Sequence, residues 1–269
     1  MTLGKRYLEK GKIVFSEKGV SGLARASVMQ FFRRSHPRWL RAYSHAHYLL
    51  NHVRFDAPAK PFSSIEIKAK EITEADSVSK NLGLGRVVGG DWDRQCNRQP
   101  VSELAVIRGL EQRFGEGVPW EETAYVAQAR ERFESGERIA ECENIDEFMQ
   151  KRCANLDGLY KSIRDDGYRY REERADDASE GKHSHNLDPI VSISREGDIL
   201  FSGSGYHRFA ISRALDLKIP FQVTVRHRRW QECRDLIHRN GDALGDVQDH
   251  PDIHDLINSP RSNREDTEV

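Results

Sequence analysis

The run Phe201-Ser-Gly-Ser-Gly-Tyr-His-Arg208 constrains this chain more than any other stretch. Two glycines and a serine stand directly before a His-Arg pair, and an apolar helical pattern from Phe209 to Leu217 follows. Glycines let backbone N–H groups approach an oxyanion closely. A helix N-terminus adds favourable partial charge. Arg208 supplies a permanent forked cation and His207 a titratable donor. The pattern is that of an anion site at a strand–loop–helix junction. The structural alternative is that His207 and Arg208 only close the first turn of the helix.

The flanks define what the loop joins. Asp188-Pro-Ile-Val-Ser-Ile193 and Ile199-Leu-Phe201 read as two short strands around the turn Ser194–Asp198, a hairpin with Gly197 and Asp198 as turn formers. Phe209, Ala210, Ala214, Leu215 and Leu217 suit a short helix packed on a sheet. Pro220 prevents its continuation, and Phe221–Val225 alternates like another strand. Upstream, Leu156, Leu159, Tyr160 and Ile163 lie at helical spacing, and Gly167 ends that helix.

These pieces fall in a recognisable order: Leu159-x-x-Ser162-Ile163-x-x-x-Gly167, Pro189-Ile190, Gly205-x-His207-Arg208, Ala214-Leu215-x-Leu217, Ile219-Pro220. Together they resemble the ParB/sulfiredoxin superfamily across residues 156–226, with residues 64–93 as a candidate opening strand region. Asp216 stands where that family usually has glycine, yet Asp tolerates the left-handed conformation a helix end needs. A polar stretch, Tyr168–Leu187, reads as an inserted surface loop.

The resemblance implies an α+β fold: a small mixed sheet with packed helices, here with a helical N-terminal arm and a helical insertion. It also implies a bound nucleotide whose phosphates meet Gly203, Ser204, Gly205, Tyr206, His207 and Arg208. Family chemistries diverge: CTP-hydrolysing partition proteins, ATP-dependent sulfiredoxins, phosphotransferases acting on free serine, and nucleases. Sulfiredoxins carry their catalytic cysteine immediately before the His-Arg pair, where this chain has Tyr206. That chemistry needs a thiolate, so it is not expected. Partition proteins continue into a helix-turn-helix region, whereas about 40 residues follow Val225 here, so classical partition function is not expected either. The expectation is a nucleotide-dependent phosphotransferase or nucleotide hydrolase using an ATP-type nucleotide or CTP, as triphosphate or diphosphate, with an unknown acceptor. The alternative is a non-enzymatic nucleotide- or DNA-binding regulatory module.

Gly85-Arg-Val-Val-Gly-Gly-Asp-Trp-Asp93 is a second island, a short apolar strand running into two glycines and two carboxylates. Asp91 and Asp93 could hold Mg²⁺ or act, with His207, as catalytic groups. The structural reading is a plain turn with Trp92 in the core. Arg226-His-Arg-Arg-Trp230 either lines the anionic site or opens a solvated helix.

Charge divides the chain. Residues 1–60 hold 12 Lys and Arg against 3 Asp and Glu, and the remainder 30 against 40. Within this basic arm, Arg25, Arg33, Arg34, Arg38 and Arg41 are interleaved with aromatics, and Pro37 splits it into two helical pieces. Amphipathic helices packing on the body, peripheral membrane contact and nucleic-acid contact through Arg25–Arg41 all fit that pattern. His45, His47 and His52 read as solvated or core histidines rather than metal ligands. Residues 61–240 form the expected main domain, with a helical insertion over about 101–150 in which Asn144 is an N-cap with Glu147 three residues on. Residues 241–269 read as a flexible polar tail. No apolar run reaches the roughly 20 residues of a spanning helix. The four cysteines show no paired spacing, so reduced thiols and a cytoplasmic, or membrane-peripheral, location are expected.

Overall fold

The structure is a computed structural model that describes residues 37–76, 84–139, 141–169, 188–240, 247 and 249–257. Seven strands among them form one mixed sheet: β1 (Ser64–Lys68), β2 (Glu74–Asp76), β3 (Arg86–Val88), β4 (Arg98–Pro100), β5 (Ile190–Ile193), β6 (Ile199–Phe201) and β7 (Lys218–His227). The helices are α1 (Pro37–Arg54), α2 (Ala105–Gly115), α3 (Ala124–Glu134), α4 (Ile145–Glu147), α5 (Ala154–Asp166), α6 (Tyr206–Ala214), α7 (Arg228–Asn240) and α8 (His254–Ile257), with a π-helical segment, Phe148–Cys153, joining α4 to α5.

β7 organises the sheet, and every residue after Lys218 in it is buried. β1 runs antiparallel to its first half, Ser64 opposite Gln222, and β3 parallel to its second half, Val88 opposite His227. β5 lies parallel along the other edge, then β6, β2 and β4 follow outward. The strand around Phe221 therefore starts earlier than its alternation suggests, and Pro220 lies inside it opposite Glu66. What ends α6 is Asp216, at φ 55°, with the Leu217 N–H reaching back to the Ser212 carbonyl at 2.9 Å. The backbone there takes the left-handed turn for which the sequence offered Asp in place of glycine.

The core sits beneath the glycine loop. Phe209 of α6 stacks on Phe201 of β6 at 4.4 Å and meets Phe221 of β7 edge-on at 5.7 Å. All three rings are fully buried, and each such side chain contributes about 1.5–3 kcal/mol over its exposed state. α2 covers α6 on the outside and carries α3 against it. A Cβ at Gly109 would lie 2.4 Å from Tyr125, so this glycine is what lets α3 come close.

Residues 101–150 are largely helical, as α2, α3 and the helix beginning at α4. Asn144 caps it, its Oδ1 accepting the Glu147 N–H at 2.9 Å. α3 starts at Thr123, whose hydroxyl accepts from the Val126 N–H, and Pro119 precedes only a short 3-10 turn. Residues 1–36 of the basic arm and 170–187 of the inserted loop lie outside the described residues. α1 begins at Pro37 and docks through Ser44 and Asn51, whose Nδ2 donates to the Gly85 carbonyl at 3.0 Å. Leu49, Leu50 and Val53 face outward. No helix among the described residues is long and apolar enough to cross a membrane.

The expectation of a flexible tail from residue 241 is corrected for Pro251–Ile257. Asp252 and Ile253 are buried there. Asp252 accepts from Arg226 at 2.5 and 2.9 Å, from the Trp230 indole at 2.9 Å, and lies 3.4 Å from Arg234. Residues 258–269 lie outside the described residues. The same contacts decide the reading of Arg226–Trp230. Arg226 and Trp230 hold Asp252, and the His227 Nε2 donates to the Gly90 carbonyl at 2.9 Å, so these three residues form a buried polar core while Arg228 and Arg229 are exposed at the start of α7.

Candidate functional site

The loop between β6 and α6 is fastened at both ends. The Ser202 N–H donates to the Ile190 carbonyl at 2.9 Å, and the Ile190 N–H to the Ser204 carbonyl at 3.4 Å. The Ser202 hydroxyl donates to Asp76 at 2.7 Å, as does the Ser192 hydroxyl. Asp76 is buried at the end of β2, so one carboxylate ties β2, β5 and the start of the loop together.

Gly203 and Gly205 hold φ values of 81° and 75°. A Cβ at Gly205 would fall 2.7 Å from the Pro189 Cα. Conformation and packing thus both require glycine at 205, which accounts for that residue without any ligand. The helical ladder of α6 begins with the Phe209 N–H on the Gly205 carbonyl, 3.0 Å. Tyr206, His207 and Arg208 therefore supply the first-turn N–H groups, which lie outside the i to i−4 pattern. Tyr206 sets its ring edge-on against Phe201 at 4.9 Å, and burial raises its hydroxyl pKa.

His207 points to groups that the sequence reading did not connect with it. Its Nε2 lies 3.4 Å from the Tyr125 hydroxyl. The Arg152 Nη2 lies 3.3 Å from its Nδ1, and the Arg152 Nε donates to the Tyr125 hydroxyl at 3.4 Å. None of these described contacts of Arg152 is to a carboxylate. Burial pushes the Tyr125 hydroxyl up, and the Arg152 cation opposes that shift.

These side chains open on a cavity of about 200 Å³. Tyr125, Gln128, Arg132, Arg152 and His207 form its polar wall, and Val106, Ala129, Ile139, Phe148 and Tyr206 the rest. Arg132 already pairs with Glu137 at 2.9 Å. No cysteine lines the cavity. Burial pushes the Cys153 thiol up to about 12, and none of the four cysteines is disulfide-bonded.

Asp91 and Asp93 are not part of this arrangement. Asp93 is buried and accepts the Arg195 backbone N–H at 2.7 Å and its guanidinium at 2.6 and 3.0 Å. Asp91 accepts from Arg195 at 3.0 Å and pairs with Arg94 at 2.7 Å. Burial raises the Asp93 carboxyl, but Arg195 and the charge of His227 outweigh it and hold it at about 2. A Mg²⁺ ion bound here would sit against two guanidinium groups that already occupy the oxygens, so the pair does not fit the metal. Its role is to lock the turn between β5 and β6 through Arg195. Among the described residues no group of three or more His, Cys, Asp or Glu side chains could hold a metal ion.

No family model, no curated protein and no solved structure matches the chain.

Proposed function

We propose that this chain is a nucleotide-binding protein of the ParB/sulfiredoxin type. The Gly203–Arg208 loop holds the phosphates, and the protein works as a nucleotide-dependent phosphotransferase or nucleotide hydrolase. The observation that carries the reading is the convergence at one helix N-terminus. Gly203 holds a left-handed conformation ahead of α6, and His207 in the first turn is approached by Arg152, whose described contacts include no carboxylate. Cationic side chains and first-turn N–H groups on one side suit a phosphate chain. The hairpin, loop, helix and strand also follow one another as the resemblance implies.

In this reading the first-turn N–H groups bind and orient the phosphate oxygens, and Arg208 and His207 neutralise charge that builds on them during transfer. Tyr125 and Arg152 hold the imidazole of His207 in place. Tyr206 occupies the position of a sulfiredoxin's thiol, so no thiolate attack is part of the scheme. Asp91 and Asp93 stay with Arg195, and no step runs through a metal ion.

A thermal-shift panel with ATP, ADP, CTP and GTP, each with and without Mg²⁺, tests the reading. A rise in melting temperature with at least one nucleotide is expected, and no response to any of them removes the proposal.

A further inference from the structure

The cavity beside the loop has a composition that phosphate binding does not account for. At about 200 Å³ it is smaller than the ~300–1,000 Å³ of sites that enclose drug-sized ligands. It is too small to enclose a nucleotide, but it has room for a molecule the size of benzoate. Half its wall is apolar, through Val106, Ala129, Ile139 and Phe148, and Arg152 stands on the polar side.

Arg152 is delivered in an unusual way. It lies in the π-helical segment Phe148–Cys153, between α4 and α5. Such segments are rare, and where they interrupt a helix they frequently mark functional positions. The guanidinium is a planar fork that matches a carboxylate with two parallel hydrogen bonds. Its contacts to Tyr125 and His207, at 3.3–3.4 Å, are long ones that a bound anion would compete with.

We propose that this cavity is a subsite for a small organic monocarboxylate with an apolar stem, clamped by Arg152 and packed against Phe148 and Val106. Its placement as the site of a second ligand beside the nucleotide rests on the phosphate reading of the neighbouring loop. Arg152 and His207 line this cavity as well as the loop's anion site, so the probes, and not these residues, separate the two readings.

Isothermal titration of the full chain with benzoate, benzamide and phenylphosphonate, with and without ATP, tests it. Benzoate is expected to bind about tenfold or more tightly than benzamide, since a charge-assisted pair is lost with the neutral isostere. Arg152→Gln is expected to weaken benzoate by a similar factor, and Arg152→Lys to restore part of it. Val106→Phe, which narrows the cavity from the apolar side, is expected to weaken benzoate with Arg152 intact. Equal binding of benzoate and benzamide overturns the clamp, and a preference for phenylphosphonate overturns the carboxylate assignment. ATP binding with no binding of any small probe removes the subsite alone. Benzoate binding with no nucleotide response upholds the pocket and removes the loop's phosphate reading.

Discussion

The Arg152 guanidinium lies 3.3 Å from the His207 imidazole, although 55 residues separate the two in the chain. One belongs to the first turn of α6, the other to a π-helical segment of the insertion. The helices of residues 101–150 are therefore part of the candidate site, because they close the space in front of the glycine loop. Four consequences for stability and one for binding follow from this architecture.

Gly205→Ala should destabilise the fold by about 2 kcal/mol or more, since the new methyl meets Pro189 in a left-handed backbone. Urea unfolding measures this directly. An unchanged midpoint would show that the loop is not wedged against Pro189.

Asp93→Ala should destabilise the fold, because it removes the carboxylate that accepts the Arg195 backbone N–H and guanidinium and so locks the β5–β6 turn. Nucleotide affinity, measured where the variant is still folded, should be unchanged. A large loss of Mg²⁺-dependent nucleotide binding at full stability would instead return Asp93 to the role of metal ligand.

Acid should destabilise the protein through Asp252. Burial raises its carboxyl, but the charges of Arg226 and Arg234 outweigh that and hold it at about 2, below the ordinary 3.8. The folded pKa is depressed, so the stabilisation is complete above about pH 4 and is lost as pH falls towards 2. At neutral pH this stabilisation amounts to about 2 kcal/mol. Asp252→Asn should flatten this part of a melting-temperature profile.

His250 acts at higher pH. Its Nδ1 accepts the Asp252 N–H at 3.1 Å, and its Nε2 donates to the Gly197 carbonyl at 2.9 Å. Burial lowers its pKa from the ordinary 6.5. The neutral ring is thus favoured in the fold, and its contribution is full above about pH 6.5 and declines as pH falls below it. His250→Gln should reduce the slope of melting temperature against pH between 7 and 5, and an unaltered slope would assign it to another group.

Most of the local architecture around the loop could be read from the sequence. The β5–β6 hairpin, α6 and β7 are contiguous, and alternation, turn residues and helical spacing report such neighbours. The left-handed Asp216 was legible for the same reason, since a single residue type carries it. Arg152 and Tyr125 were not, because their link to His207 spans 55 and 82 residues. Nothing in the pattern of the insertion says which face meets the loop. Asp93 read as a candidate Mg²⁺ ligand or general base because its partner, Arg195, lies 102 residues away. Asp76 is joined to Ser192 and Ser202 across 116 and 126 residues, and left no local signal. The packing of Asp252 and Ile253 was hidden by the polarity of their neighbours, because a charged residue buried on two arginines reads in sequence like a solvated one.

The central claim is that the Gly203–Arg208 loop grips nucleotide phosphates. It is tested most directly by equilibrium titration of ATP and CTP into the wild-type chain and Arg208→Ala, with both melting profiles measured alongside. The account predicts measurable affinity in the wild type and a loss of about tenfold or more in a variant that remains folded. Equal affinity in the two proteins would contradict it.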